Sequence, residues 1–260
     1  MKKILLILLT LSLNTFAQEI QHFEPSSWWI GMKNPKLQVL IHGKDISTFS
    51  LNVNYPGVKL VKINKTENPN YLFVDLVIST SAKAGKVPFR FSKGNQKTDY
   101  FLDLINRKPN SAKREGYSTK DVMYLITPDR FANGNVANDN IADYPDALNR
   151  ARDYGRHGGD IDGIKNNLDY ISEMGFTTIW PMPLEENKMK EASYHGYAIT
   201  DFYKIDPRYG TNEEYLNLVK EAKKRNLKFI RDVVLNHCGL NHWWMHDLPS
   251  KDWINNEGKF

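Results

Sequence analysis

What most constrains this chain is a change of hydrophobic period in its middle. From about Phe23 to Ile105, short runs rich in β-branched or aromatic residues follow one another: "LQVLIHG", "FSLNVNYPG", "VKLVKINK", "YLFVDLVIS", "VPFRFSKG" and "TDYFLDLIN". Most are closed by Gly, Pro or Asn. Regular short strands with turn signals between them predict an all-β, immunoglobulin-like sandwich over residues 23–105. Alternation in "YLFVDLVIS" puts Tyr71, Phe73, Asp75 and Val77 on one side and Leu72, Val74, Leu76 and Ile78 on the other, the second set being the core face. Residues 106–120 are polar, charged and nearly free of aliphatic side chains, which reads as a linker.

From residue 121 onward the pattern becomes strand, helix, strand, helix, strand. Val122–Ile126 is apolar, Ile164, Leu168, Ile171 and Met174 recur at helical spacing, and Thr177–Trp180 is a short strand ended by Pro181. A second helix runs from Asn212 to Arg225, with Thr211 as N-cap and Glu214 as its capping-box partner. Its apolar face is Tyr215, Leu218, Val219 and Ala222. Phe229–Leu235 is the third strand. Strands alternating with helices at this spacing imply a parallel sheet with right-handed crossovers. Between the first strand and its helix lies a long insertion, Thr127–Asp162, rich in Asn, Asp, Gly and Arg; loops of that length in an α/β unit are usually functional or disordered.

The chain opens with two lysines, an apolar run from Ile4 to Leu13, and Thr15, Phe16 and Ala17 before Gln18. A charged start, apolar middle and small-residue end predict a signal peptide over residues 1–17, hence an exported protein, periplasmic or extracellular. A membrane anchor is the other reading, but the run is short for a bilayer about 30 Å thick. After signal removal the protein is not expected to be membrane-embedded. The 35 Lys and Arg, two of them in this segment, nearly balance 30 Asp and Glu, so nucleic acid is not an expected partner. A single cysteine, Cys238, excludes an intramolecular disulfide.

Four runs in the second region carry a more specific signal: "VMYLITPDRFANG", "HGGDIDGIKNNLDYISEMGFTTIWPMPLEEN", "YHGYAITDFYKIDPRYGT" and "DVVLNHCG". In this order over residues 121–239 they resemble the α-amylase family of glycoside hydrolases, in its neopullulanase and cyclomaltodextrinase branch. The preceding β-region is similar to the N-terminal sandwich of that branch. The resemblance implies a (β/α)₈ barrel, of which residues 121–260 are the N-terminal part, against about 250 residues for a complete one. It implies retaining cleavage of α-glucosidic bonds in cyclomaltodextrins, maltooligosaccharides or pullulan, by one carboxylate that attacks the anomeric carbon and another that acts as acid and then base. In the family those groups follow the fourth, fifth and seventh strands, so the 260 residues alone are expected to be inactive. The other expectation, of a different class, is a non-catalytic α-glucan-binding protein.

By the same resemblance Asp232 orients a later arginine, His237 contacts the sugar at the cleavage point, Tyr197 stacks beneath that sugar, His195 lies beside it, and Asp201 braces the loop. Strand alternation would put Asp232 in the lumen, whereas His237 has the opposite parity and reaches the same mouth only if the strand has turned by about Asn236. Without the motif, Tyr197 would be a core aromatic and Asp232 a loop-bracing carboxylate. The branch also implies a Ca²⁺ site, here from Asn133, Asn135, Asn138, Asp139, the Gly158 carbonyl and Asp160, with Asn135 where the branch has Asp. Hard oxygen donors suit Ca²⁺, and the same residues also fit a turn held by Asn and Asp side chains. His237, His242 and His246 raise zinc as a weaker alternative. Trp28 and Trp29 are either packing residues or a sugar-stacking platform.

Overall fold

The computed structural model describes residues 19–255, so the expected signal peptide lies outside the described residues. The chain divides into two compact units. One comprises residues up to Arg114 together with those from Leu248, and the other is Glu115–Asp247.

The first unit is built from β1 (His22–Glu24), β2 (Ser27–Trp29), β3 (Lys36–His42), β4 (Ser50–Val53), β5 (Val58–Lys65), β6 (Tyr71–Ile78), β7 (Gly85–Lys93) and β8 (Gln96–Ile105). They form two four-stranded sheets, ordered β1-β3-β6-β5 and β2-β8-β7-β4. All pairs are antiparallel except β2 with β8. Leu72, Val74, Leu76 and Ile78 face inward with Val39 and Ile41, and Val87, Phe89, Phe91, Leu102 and Leu104 share the same core. Each such side chain removed from water contributes about 1.5–3 kcal/mol. Asp75, on the opposite side of β6, accepts Gln38 Nε2 at 2.8 Å and Asn64 Nδ2 at 2.9 Å. Tyr71 departs from the alternation. It is fully buried although it shares the parity of Asp75, because its ring lies 4.7 Å from that of His42.

The expected tryptophan pair divides: Trp28 packs against the sandwich core, whereas Trp29 is 42% exposed. The segment from Leu248, the last part of residues 121–260, makes its contacts within the first unit. Asn68 donates its N–H to Pro249 O at 3.1 Å and its Nδ2 to Leu248 O at 2.9 Å, and the Trp253 ring lies 5.7 Å from Phe73, so this stretch packs with the sandwich.

In the second unit, β9 (Met123–Ile126), β10 (Thr178–Pro181) and β13 (Lys228–Phe229) form a parallel sheet ordered β13-β10-β9. This is the expected opening of a barrel. Its core holds Ile126, Ile164, Leu168, Ile171, Ile179, Leu218, Ala222 and Leu227. The helix from Asn212, α4 (Asn212–Lys224), begins as expected: Thr211 Oγ1 accepts Glu214 N–H at 3.1 Å and Glu214 Oε2 accepts Thr211 N–H at 2.7 Å.

Two local expectations are corrected. The first helix starts earlier and is broken in two, α2 (Ile161–Asn166) and α3 (Leu168–Glu173), after a four-residue α1 (Pro128–Phe131) at the start of the insertion. Asn167 sits at the break and its Nδ2 bonds Gly163 O at 2.8 Å, a side-chain competitor for the helical ladder. Met174 falls beyond α3 and is 59% exposed, so only Ile164, Leu168 and Ile171 of the expected stripe are buried. The third strand pairs only over Lys228–Phe229 instead of running to Leu235. After Ile230 N–H reaches Ile179 O at 2.9 Å, the register brings Arg231 opposite Pro181, which has no N–H to give. From there the chain is irregular, and Leu235 is 91% exposed.

Candidate functional site

Residues 182–205 leave β10 and return through a small antiparallel hairpin, β11 (Glu185–Glu186) with β12 (Asp201–Ile205). At its tip Ser193–His195 form one 3₁₀ turn, and Gly196 follows at φ 81°. A Cβ at Gly196 would collide with Pro183 O, so glycine is required both for the backbone conformation and for the close approach. This turn aims His195 and Tyr197 towards the segment after β13.

There the four site residues expected from sequence come together. Tyr197 OH donates to Asp232 Oδ2 at 3.0 Å, and Trp180 Nε1 donates to the same oxygen at 3.2 Å. Tyr197 N–H donates to His195 Nδ1 at 2.9 Å, and the two rings lie 6.0 Å apart at 21°. His237 Nε2 donates to Tyr197 O at 3.0 Å, with Asn236 Nδ2 at 3.4 Å from its Nδ1. His237 reaches this place because the ladder has ended: Gly239 N–H bonds Ile199 O at 2.7 Å, folding the "HCG" turn onto the loop. The early turn required by its parity is therefore present, earlier than Asn236.

These bonds set the protonation states. His195 Nδ1 is an acceptor, so its proton sits on Nε2. Burial lowers its pKa, which favours the neutral ring at pH 7. The Tyr197 phenol is pushed up, first by burial and then by the hydrogen bond and charge of Asp232, and stays protonated as the donor. Together they offer a nearly parallel pair of rings, an Nε2–H donor and an anchored carboxylate, a surface suited to an apolar sugar face with hydroxyls at its rim. Cys238 is half-buried with its thiol pKa raised by burial, which makes it a packing residue.

The loop is anchored by buried charges that sequence reasoning missed. Arg208 forks onto Asp206, Nε to Oδ1 at 2.9 Å and Nη2 to Oδ2 at 2.7 Å, and also reaches Asn187 O and Asp146 O. Glu186 binds the Tyr144 hydroxyl, Lys204 Nζ at 2.6 Å and Thr200 Oγ1 at 3.0 Å. Burial alone would raise the Glu186 pKa, but the Lys204 and Tyr144 bonds outweigh it and the net shift is downward. Asp201 Oδ1 accepts Tyr203 N–H at 2.8 Å at the start of β12. A readable signal for part of this network is "DPRYG", where Asp206 and Arg208 sit two residues apart in a short loop.

The six expected calcium ligands divide. Asn133, Asp139 and Gly158 gather: Asn133 Nδ2 bonds Asp139 Oδ1 at 2.7 Å, and a Cβ at Gly158 would strike both side chains. Asn133 Oδ1 and Asn138 Oδ1 are buried with no hydrogen-bond partner. Asp160 instead caps α2 through Gly163 N–H at 2.6 Å and accepts Gly134 and Asn135 N–H at 3.0 and 2.8 Å, while Asn135 Oδ1 accepts Ala137 N–H at 3.1 Å. Their oxygens brace the turn. Among the described residues no group of three or more His, Cys, Asp or Glu side chains is placed to hold a metal. Of the histidines considered for zinc, His237 is tied to Tyr197 and His242 Nδ1 accepts Trp244 N–H at 3.1 Å. No helix among the described residues is long and apolar enough to cross a membrane.

Residues 22–108 match the family described as Cyclomaltodextrinase, N-terminal, and residues 125–258 match Alpha amylase, catalytic domain. The Beta/alpha-amylase of Paenibacillus polymyxa is 39% identical over 144 residues, 54% of this chain and 12% of that protein. Alpha-amylase 3 of Dictyoglomus thermophilum is 42% identical over 86 residues, 33% of this chain and 16% of that one. A solved Anoxybacillus alpha-amylase is 47% identical and overlaps 49% of this chain and 26% of its own, with a TM-score of 0.42. The chain thus spans a small part of the length of these relatives. On the catalytic-domain match, which covers just over half of its residues, the chain belongs to the alpha-amylase family of glycoside hydrolases, with a cyclomaltodextrinase-type N-terminal domain preceding the front part of the catalytic domain.

Proposed function

We propose that this chain is the N-terminal portion of an exported α-glucan hydrolase that cleaves cyclomaltodextrins, maltooligosaccharides or pullulan with retention. The observation that carries the reading is the meeting of Tyr197, Trp180 and Asp232 on one carboxylate oxygen, with His195 and His237 tied to the same loop. In this reading the Tyr197 ring supports a glucosyl unit, His195 Nε2–H donates to one of its hydroxyls, and Asp232 holds Tyr197 while orienting an arginine. The nucleophile and the acid/base group come from later strands, so the 260 residues bind sugar without cleaving it. The test is titration of the purified chain with maltotriose, followed through the ring signals of Tyr197 and His195 and through reducing-sugar release. Binding confined to these rings with no release supports the reading. Release of reducing sugar, or shifts elsewhere with none at Tyr197, overturns it.

In the same reading a calcium ion would be held by the orphaned Asn133 oxygen with Asp139 and the Gly158 carbonyl, and the Asn138 oxygen, orphaned as well, would be a further hard donor. When bound, the ion supplies charge and rigidity to the insertion. Export follows from the signal-like residues 1–17, and mass analysis of the secreted protein beginning at Gln18 checks it.

A further inference from the structure

The 3₁₀ turn that presents His195 and Tyr197 cannot define its own shape. It is three residues long, and the residues on both sides, Ala192 at φ 55° and Gly196 at φ 81°, lie in the left-handed region. A turn this short is held by what it touches, and its contacts come from the long insertion after β9 and from Tyr209. Asp146, almost fully buried, accepts both Ser193 N–H and Ser193 Oγ–H on Oδ2 at 2.9 Å. Arg156 Nη1 donates to Ser193 Oγ at 3.3 Å from the other direction. Asp146 is itself fixed, since its carbonyl accepts Arg208 Nη1 at 2.9 Å. At the next residue the Arg130 guanidinium lies 4.2 Å from the Tyr194 ring centre, and Tyr209 OH donates to Tyr194 O at 2.8 Å.

We propose that Asp146 is the positioning residue for the sugar-facing pair, setting His195 and Tyr197 through its two bonds to Ser193, with Arg130 as a second point of attachment. The inference rests on the sugar-site reading above for its functional consequence, but not for the brace itself. Asp146 does not touch the sugar in this scheme. It fixes the start of the turn, so that Tyr197 N–H meets His195 Nδ1 and the ring carries its proton on Nε2. A long loop that otherwise has no part in the chemistry is thereby tied to the site.

The brace is tested without any sugar on the full chain labelled with ¹⁵N, using long-range proton–nitrogen correlations of the imidazole rings, with His195→Gln for assignment. The native protein should show His195 as a neutral ring with Nε2 protonated and Nδ1 hydrogen-bonded. Asp146→Ala should move it to an averaged tautomer, while Asp146→Asn, which keeps an acceptor for Ser193 N–H, should restore most of the native signal. Glu214→Ala is the control, since it weakens the cap of α4 and touches no part of the turn. If Asp146→Ala leaves His195 in place, or Glu214→Ala moves it equally, the proposal fails. Should Asp146→Ala not fold, Ser193→Ala removes only the hydroxyl bonds and must produce a smaller shift in the same direction; no shift overturns the brace. Maltotriose affinity forms the second arm, with a several-fold loss expected in Asp146→Ala. A moved His195 signal with unchanged affinity upholds the brace and counts against the sugar-site reading.

Discussion

Replacing Asp206 with alanine should detach the site loop, and the expected size follows from its partners. Asp206 and Arg208 are both fully enclosed. The carboxylate accepts Arg208 Nε, Nη2 and N–H at 2.9, 2.7 and 3.0 Å and Asn187 N–H at 3.0 Å. Alanine leaves a buried guanidinium without its counter-charge and two backbone donors without acceptors, a change that costs about 3–5 kcal/mol. At about 1.4 kcal/mol per factor of ten, amide protection around residues 206–210 should fall by roughly 10²–10³·⁵. Hydrogen exchange read by mass spectrometry measures this, and peptides from β6 in the sandwich serve as an internal reference. Asp206→Leu combined with Arg208→Met should recover most of the loss, because removing both charges leaves none unpaired. A fall of less than tenfold in Asp206→Ala would refute the reasoning. The pH dependence has a defined sign. Burial by itself would raise the Asp206 pKa, but the Arg208 fork and the charges of Arg208 and Arg156 lower it on balance. The unfolded chain therefore binds more protons in acid, and the stabilisation is complete above the ordinary carboxylate value of about 4 and lost as pH falls below it.

Calcium at saturating concentration should raise the melting temperature, with about 2.7 kcal/mol gained at a hundred times the dissociation constant. Asp139→Ala should abolish the shift seen on adding EGTA, and no shift in the native chain rules out the site. Thr211→Ala removes the acceptor for Glu214 N–H and should cost about 1 kcal/mol in urea unfolding, with the loss confined to the unit that contains α4. The Tyr144 phenol, pushed up to about 12 by burial and then by Glu186, should ionise well above free tyrosine in ultraviolet titration. Lys204→Met removes a cation that favours the phenolate and should move the titration higher still; movement downward contradicts the arrangement.

Much of the fold was legible because it rests on local rules. The inward face of β6 follows from period-2 alternation, and the capping box at Thr211 follows from side-chain spacing. The exceptions have non-local causes. Tyr71 is buried by a histidine from the neighbouring strand, and the third strand ends early because a proline in β10 faces Arg231 across the register. The bracing network was illegible for the same reason. Asp146 and Ser193 are far apart in sequence, and nothing in their immediate neighbours marks them as partners. The motifs identified the residues that meet at Asp232, while the calcium residues were read as one set although Asp160 and Asn135 spend their oxygens on backbone N–H groups.

The carboxylate in the middle of "FIRDVVLNHCG" can now be assigned its bonds oxygen by oxygen. Trp180 and Tyr197 both donate to Oδ2, and Oδ1 accepts nothing among the described residues. A carboxylate has room for about four donors, so it is half-satisfied. The partial exposure of Asp232 makes that state tolerable in water, where solvent completes the shell. Under the proposed function Oδ1 is the acceptor left for the arginine. The choice of oxygen matters, because a guanidinium at Oδ1 leaves the Tyr197 bond intact, whereas one competing for Oδ2 would release the ring that supports the sugar. Asp232→Asn therefore separates the two roles. The amide oxygen can keep Tyr197 and Trp180 in place while the amide nitrogen repels an arginine, so the ring signals of Tyr197 should stay near their native positions. Their displacement in Asp232→Asn would mean that the charge, and not the acceptor geometry, holds the loop to the segment after β13.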